Sequence, residues 1–196
     1  MNKTNAVQRV VDVFADEPII FTTGYSCRIA NQIADRANHF YMTGSMGLVA
    51  SFGIGVALGA GRTTVVVDGD GSHMMNPVGL MVAGSLPELP LIHVVLDDGE
   101  YASTGGQLVP SAHMQLCDWA RGAGYRRAVQ VLDADEFEKA LRFEAGDCKG
   151  AVFIHCLLSA EDAPVPGRIA VDLADHARRF AAHVGTRPAP IGDTHN

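Results

Sequence analysis

Two short acidic turns carry the most chemically specific pattern in this sequence. The first is Gly69-Asp70-Gly71-Ser72, and the second is Asp97-Asp98-Gly99, so that Asp98 follows Asp70 by 28 residues. Carboxylate oxygens are the ligands that Mg²⁺ prefers, and glycine lets backbone amides approach a phosphate closely. Either turn alone is also typical of an ordinary strand-to-helix connection. Together they predict a site for a phosphate compound held through a metal ion.

The segments around these turns alternate between strand-like and helix-like patterns. Short apolar runs predict strands at 19–22, 39–42, 63–67, 90–96, 128–132 and 151–157. Helical spacing and caps predict helices near 7–14, 27–36, 47–59, from Pro77 with Asn76 as its cap, 113–123, 134–145 and 171–184. Nearly continuous apolar strands separated by helices predict a single α/β domain with a mostly parallel sheet and helices on both faces. We place this domain at 1–185 and expect a flexible tail at 186–196.

Three polar loops follow predicted strands, at 22–26, 69–72 and 97–107. In open parallel sheets, ligands bind beyond the carboxyl ends of the strands. We therefore expect these three loops to meet, and the carboxylates of Asp70 and Asp98 to emerge side by side from neighbouring strands.

Composition excludes several classes of function. The chain has 196 residues, 15 basic and 22 acidic residues and a net charge of −7, which opposes a nucleic-acid or anionic-membrane surface. Apolar runs are interrupted before they reach the length of a membrane span, and the start does not resemble a secretion signal, so we expect a cytoplasmic protein. The four cysteines lie far apart without a CxxC pair, which is typical of reduced, buried thiols.

The two acidic turns resemble those of thiamin diphosphate enzymes, whose diphosphate-binding domain carries GDG followed by an Asn-containing turn. Segments 22–28, 44–47 and 96–107 resemble, more narrowly, the phosphonopyruvate and sulfopyruvate decarboxylase branch of that family. The run Ser103-Thr104-Gly105-Gly106-Gln107 is the feature that points to this branch. The similarity covers most of 1–185.

The resemblance implies two cofactors, thiamin diphosphate and Mg²⁺. It implies as metal ligands the side chains of Asp70 and Asp98 and the backbone carbonyl of Glu100. Asp98 departs from the family, which has Asn there, and it adds a negative charge beside the diphosphate. The cofactor-binding positions implied by the resemblance are Thr23, Ser26, Gly44, Ser45, Met46, Gly69, Asp70, Gly71, Ser72, Asp98 and Glu100.

Met46 and Gln107 are the catalytic candidates that the resemblance implies. Met46 matches the bulky apolar residue that wedges between the two cofactor rings and bends the cofactor, and the Gly44 carbonyl would accept a hydrogen bond from the 4′-amino group. Gln107 and Arg28 could meet the anionic tail of a substrate, although Arg28 could equally face solvent on its helix.

The implied activity is decarboxylation of a small anionic 2-oxo acid, phosphonopyruvate- or sulfopyruvate-like, with release of CO₂ and an aldehyde. Family members need a second, pyrimidine-binding domain that supplies a catalytic Glu, and 196 residues are too few for both domains. The chain therefore resembles the β subunit of a split enzyme, and we expect a hetero-oligomer. A related carboligase subunit and a non-catalytic scaffold subunit remain as alternatives.

Other residues have both a structural and a functional interpretation. The glycine-rich stretch 53–59 resembles a nucleotide fingerprint, but small residues inside an apolar helix more often permit close packing. His93 and His155 lie in predicted strands and are expected to be core residues. His73 and His113 adjoin the ligand-facing loops and are candidates for acid–base roles.

Overall fold

The fold is built around a parallel sheet of six strands. A computed structural model describes residues 1–145, 148–159, 164 and 166–185. The strands, in chain order, are β1 (Ile19–Phe21), β2 (His39–Tyr41), β3 (Thr64–Gly69), β4 (Leu91–Asp97), β5 (Glu100–Tyr101), β6 (Gln107–Leu108), β7 (Arg127–Val131) and β8 (Val152–Leu157). The sheet order is β2-β1-β3-β4-β8-β7, and β5 and β6 form a separate antiparallel hairpin.

Helices cover both faces of this sheet. They are α1 (Lys3–Val13), α2 (Tyr25–Ile33), α3 (Val49–Ala60), α4 (Asp70–Met75), α5 (Val78–Gly84), α6 (Leu116–Ala123), α7 (Ala134–Glu144) and α8 (Leu173–Val184), with a 3₁₀ turn at Pro110–His113. Successive strand side chains point to opposite faces. Val65 and Val67 accordingly join the core beneath α1, α2 and α7, whereas Val66 joins the core beneath α3, α5, α6 and α8.

The predicted fold class is confirmed, with three local differences. The Gly-Asp-Gly turn is not only a loop, because Asp70 begins the short helix α4. The polar loop after β4 contains the β5–β6 hairpin. Asn76 does not cap the next helix, because its side-chain amide donates to the carbonyl of Gly47 at 3.0 Å. The segment 186–196 that we expected to be a tail lies outside the described residues.

The strand order fixes where a ligand can bind. From β1 the chain passes to β2 on one side and then returns to place β3 on the other side. This reversal leaves a crevice at the carboxyl ends of β1 and β3, which is where open α/β sheets bind ligands. Strands β3 and β4 are parallel neighbours with Gly69 opposite Leu96. The loops that follow these strands are therefore adjacent.

The described residues include no helix that is long and apolar enough to cross a membrane. The four cysteines, all among the described residues, form no disulfide bond, and Cys27, Cys148 and Cys156 are buried. Burial raises the pKa of the Cys156 thiol to about 12, so this cysteine is an unreactive core residue.

One glycine of α3, Gly53, permits close packing, which confirms the structural interpretation of 53–59 at that position. A Cβ atom built on Gly53 would lie 2.1 Å from Cγ2 of the fully buried Val66. Gly55 in the same helix has no atom within 4 Å of its built Cβ. Gly53 therefore lets α3 approach β3, whereas Gly55 does not mediate such a contact.

Gly53→Ala is expected to lower the free energy of unfolding by about 1–3 kcal/mol, because the new methyl group overpacks the core against Val66. Gly55→Ala is the matched control, and it should leave stability unchanged or raise it by up to about 1 kcal/mol through helix propensity. Urea denaturation of the three proteins measures both changes. Equal stabilities for the two variants would contradict the close packing of α3 on β3.

Candidate functional site

The three loops predicted to meet do form one cleft at the carboxyl ends of β1, β3 and β4. The cleft is lined by Lys3, Thr22, Thr23, Gly24, Tyr25, Ser26, Met46, Gly69, Asp70, Gly71, Ser72, Asp98, Glu100, Tyr101, Ala102 and Ser103. Helices α2 and α4 both begin at this cleft. Their first backbone amides lack partners within the helix, so the cleft offers hydrogen-bond donors suited to an anion.

Asp70 is the buried carboxylate of the cleft, with 2% of its surface exposed. Its Oδ2 accepts a hydrogen bond from the Gly99 amide at 3.1 Å and lies 3.1 Å from the Ser111 hydroxyl. Burial, followed by the neighbouring carboxylates of Asp97 and Asp98, raises the pKa of Asp70 to about 7. Negative charge is thus concentrated where a divalent cation would be stabilised.

Asp97 lies behind Asp70 and does not line the cleft. Its Oδ2 lies 2.7 Å from Nε2 of His155, and its Oδ1 accepts from the Ser111 hydroxyl at 2.9 Å. Although burial acts to raise it, the hydrogen bonds from His155 and Ser111 lower the pKa of Asp97. Ser111 therefore lies between the two carboxylates, and His155 holds Asp97 in place through the contact with its Oδ2.

Asp98 lines the cleft and forms an ion pair with Lys3 of α1. Lys3 Nζ lies 2.5 Å from Asp98 Oδ2, and both side chains are largely buried, at 8% and 20% exposure. Asp98 was expected to add a negative charge beside a diphosphate. Because the Lys3 ammonium sits against it, that charge is offset within the cleft.

The turn that carries Met46 is closed by its own hydrogen bond and is held to α4 through Ser72. Ser45 has a backbone φ of 57°, in the left-handed region that residues other than glycine rarely adopt. Its carbonyl accepts a hydrogen bond from the Leu48 amide at 3.1 Å. The Gly47 amide donates to Ser72 Oγ at 3.1 Å, and Thr22 Oγ1 donates to the same oxygen at 3.0 Å. The Met46 side chain is consequently held at the edge of the cleft.

Two glycines allow the loops to come close together. A Cβ on Gly71 would lie 2.4 Å from Cε1 of Tyr101, so this ring packs directly on the glycine backbone. A Cβ on Gly24, whose φ is +106°, would lie 3.1 Å from Ser103 Oγ. Larger residues at either position would push the loop after β4 away from the other two loops.

Three of the predicted site residues are not in the cleft lining. Gly44 and Ser45 are exposed in the turn before Met46. Gln107 is exposed on β6, and its side chain bonds to the hydroxyl and carbonyl of Thr104 at 3.2 and 3.3 Å. The cleft contains the other predicted cofactor-binding residues, namely Thr23, Ser26, Met46, Gly69, Asp70, Gly71, Ser72, Asp98 and Glu100.

The histidines separate as core and surface residues. His93 and His155 are buried in strands and hydrogen-bonded, as predicted. His73 is also buried, close to Asp68 and His93, and burial lowers its pKa to about 4. It does not line the cleft, and its acid–base role stays a prediction. His113 is exposed outside the cleft.

Sequence reasoning missed Lys3, Tyr101 and Ser111. Lys3 belongs to an N-terminal helix without any motif, and Ser111 lies in a 3₁₀ turn beyond the acidic loop. Tyr101 follows the acidic turn closely, and its aromatic ring beside glycines was the one available signal. None of these residues can be recognised without knowing which strands are neighbours.

The cleft fits a metal-bound diphosphate in the chemistry of its donors. Asp70 and Asp98 provide carboxylate oxygens for a hard cation such as Mg²⁺. Thr23 and Ser26 provide hydroxyl groups, and the starts of α2 and α4 provide backbone amides for phosphate oxygens.

Comparisons with known proteins agree with this geometry. Residues 22–156 match the sequence profile of the thiamine pyrophosphate enzyme C-terminal TPP binding domain. The chain is 40% identical over 174 residues to phosphonopyruvate decarboxylase of Streptomyces viridochromogenes, covering 89% of this chain and 44% of that protein. It is 36% identical to the sulfopyruvate decarboxylase subunit beta of Methanothermobacter thermautotrophicus, covering 94% of this chain and 96% of that one.

Among solved structures, benzoylformate decarboxylase of Polynucleobacter necessarius has the same fold, with a TM-score of 0.68 at 17% identity. The aligned region covers 82% of this chain and 33% of that protein. The chain thus spans less than half of that structure and of the Streptomyces relative, but nearly all of the subunit beta. From the match across 22–156, we conclude that this chain belongs to the thiamine pyrophosphate enzyme family and carries its C-terminal TPP binding domain.

Proposed function

We propose that this chain is the diphosphate-binding component of a thiamin diphosphate- and Mg²⁺-dependent decarboxylase. Its substrate would be a small 2-oxo acid that bears a phosphono or sulfo group at C3. The observation that carries the proposal is the meeting of Asp70 and Asp98 with the 22–26 loop at the carboxyl ends of β1, β3 and β4. The names of the two sequence relatives described above support the choice of substrate class.

In the proposed site, the side chains of Asp70 and Asp98 and the backbone carbonyl of Glu100 hold Mg²⁺. The Ser72 hydroxyl oxygen accepts a hydrogen bond from the Gly47 amide, which holds the start of α4 against the Met46 turn. Thr23, Ser26 and the amides around Gly71 bind the diphosphate oxygens. Lys3 offsets the charge of Asp98, so that an anionic cofactor is not repelled.

When bound, thiamin diphosphate supplies a carbon that adds to the keto group and accepts the electrons released with CO₂. The chain's part is to position the cofactor. Met46, held on its turn by the Gly47–Ser72 contact, would press between the two rings, and the Gly44 carbonyl would accept a hydrogen bond from the aminopyrimidine. Gln107 would need the β5–β6 hairpin to move toward the cleft in order to contact substrate.

We propose further that a pyrimidine-binding domain on a partner subunit supplies the Glu that protonates the cofactor. Relatives named as subunit beta support a hetero-oligomer. The match covers 44% of the Streptomyces relative, so that longer chain has room for a second domain. This supports the proposal that the two domains lie on separate subunits here.

The test is an assay of aldehyde and CO₂ formation from phosphonopyruvate and from sulfopyruvate, with Mg²⁺ and thiamin diphosphate. We expect no turnover by this chain alone and turnover after a pyrimidine-domain subunit is added. A partner in which the catalytic Glu is replaced by Gln is the control. Robust decarboxylation without a partner would overturn the split arrangement. A product joined to a second carbonyl compound would indicate a carboligase subunit. Binding of neither thiamin diphosphate nor Mg²⁺ would indicate a non-catalytic scaffold subunit.

Ser111→Ala is expected to weaken Mg²⁺ affinity by about 10- to 100-fold, because the hydroxyl that orients Asp70 and Asp97 is lost. Mg²⁺ titration in the presence of thiamin diphosphate measures this change. Ser85→Ala is the control, since Ser85 is exposed and its hydroxyl donates to Val82 in its own helix. Unchanged Mg²⁺ affinity in Ser111→Ala would mean that Asp70 is positioned without this contact.

A further inference from the structure

A second, polar cleft opens beside the cofactor cleft and shares part of its wall. Thr23, Gly24 and Ser103 line both clefts. The remaining lining of the second cleft consists of Cys27, Arg28, Thr43, Thr104, Arg168 and Ile169. A small molecule could therefore place one end against the cofactor and the other end in this neighbouring cleft.

The charges in this second cleft are of one sign. Arg28 and Arg168 contribute two guanidinium groups, and no residue of its described lining is acidic. This is unusual for a chain with a net charge of −7. Elsewhere, arginines such as Arg62 and Arg126 are paired with carboxylates, whereas the described part of the chain gives neither Arg28 nor Arg168 an ion pair.

Both arginines are attached to packed parts of the structure. Arg28 lies on α2, half-buried, with its Cζ 5.5 Å from the centre of the Tyr25 ring. A guanidinium held over an aromatic face by a cation–π contact keeps its N–H groups available for an anion. Arg168 is exposed, but the following residue, Ile169, packs against the hydrophobic core and fixes the chain at that point.

The ligand that fits is a tetrahedral oxyanion on a short carbon chain. Guanidinium groups bind such oxyanions through paired N–H···O contacts. The hydroxyl groups of Thr43 and Ser103 add further donors around the same cleft. A substrate without an anionic group at that end would gain nothing from either arginine.

We infer that Arg28 and Arg168 form the subsite for the phosphono or sulfo group of the substrate, an inference that rests on the proposed function. The substrate would then cross the boundary between the two clefts at Thr23, Gly24 and Ser103, with its reacting carbonyl on the cofactor side and its anionic end on the arginine side. The two arginines select C3-anionic 2-oxo acids over pyruvate, and Mg²⁺ and thiamin diphosphate are held independently of them.

The first test uses 3-phosphonopropionate, which has the carboxyl and phosphono groups of phosphonopyruvate but no keto group. Its binding to the chain assembled with partner, Mg²⁺ and thiamin diphosphate is measured by calorimetry for wild type, Arg28→Gln and Arg168→Gln. We expect each variant to bind the probe at least about tenfold more weakly, as for a lost charged hydrogen bond, with thiamin diphosphate affinity unchanged. Arg62→Gln, remote from both clefts and paired with Asp16, is the matched control.

The second test separates this subsite from the proposed function. In the assembled enzyme, both variants should raise KM for phosphonopyruvate at least about tenfold with little loss of kcat, and pyruvate turnover should be unaffected. If both variants bind 3-phosphonopropionate as tightly as wild type, or if wild type does not bind it, the subsite is overturned. Thiamin diphosphate binding in the same proteins would show that the cofactor site is still intact. Failure to bind thiamin diphosphate would instead overturn the proposed function.

Discussion

Asp70→Asn is expected to weaken Mg²⁺-dependent binding of thiamin diphosphate by at least about 100-fold, more than the loss of a residue that only orients a metal ligand. Asp70 is the most deeply buried acidic side chain in the cleft lining, and its Oδ2 accepts a bond from the Gly99 amide and lies 3.1 Å from the Ser111 hydroxyl. Asparagine preserves the volume but removes the charge that a hard cation requires. Fluorescence or calorimetric titration of thiamin diphosphate with and without Mg²⁺ measures the loss, ideally with the partner present.

Asp98→Asn is the matched control for this experiment, because the thiamin diphosphate enzymes that the sequence resembles have asparagine in this turn. We expect it to retain Mg²⁺-dependent binding, and to tighten it at low salt, where the remaining Lys3 charge is least screened. Asp98→Ala, by contrast, removes the ligand atom and should weaken binding. An Asp70→Asn variant that binds thiamin diphosphate as tightly as wild type would remove Asp70 from the metal site.

Met46→Ala is expected to reduce turnover of the assembled enzyme by about 100-fold while leaving Mg²⁺ affinity nearly unchanged. The side chain lines the cleft on a turn that is held to Ser72 through the Gly47 amide, and it is not one of the carboxylates that would hold the metal. Loss of its bulk leaves the diphosphate anchored but the reacting groups misplaced, and small displacements cost rates of this order. Steady-state kinetics and Mg²⁺ titration are measured on the same preparations.

Met46→Leu is the control for that variant, since it preserves apolar volume and should retain most of the turnover. Equal losses of turnover and Mg²⁺ affinity in Met46→Ala would mean that the residue supports the cleft as a whole. In that case Met46 would not act as the wedge between the two rings.

The parts of the site that could be predicted from sequence are those carried by local patterns. β-branched runs ending in Gly-Asp-Gly and Asp-Asp-Gly predicted two buried strands with acidic turns at their ends. The parallel sheet rule then placed Asp70 and Asp98 at one edge, where both line the cleft. The glycine packing of α3 followed from its apolar surroundings in the same way.

Residues brought to the site from elsewhere in the chain depended on the tertiary structure. Lys3 contacts Asp98 across 95 residues of sequence, and Ser111 contacts Asp70 across 41. Their side chains carry no periodic or motif signal, because their role arises from which helix packs beside which strand. The position of Gln107 on an exposed hairpin depended likewise on the pairing of β5 with β6.

The sequence by itself determined the fold class, the cleft at the ends of β1, β3 and β4 and the carboxylates that face it, because these follow from hydrophobic periodicity and turn chemistry over short stretches. Only the tertiary structure decided the electrostatic balance of the site. Long-range packing pairs Lys3 with Asp98, brings Ser111 to the buried carboxylates and places Arg168 in one cleft with Arg28, the residue that the sequence offered for an anionic tail. These groups are distant in sequence, so no local pattern predicts that they meet.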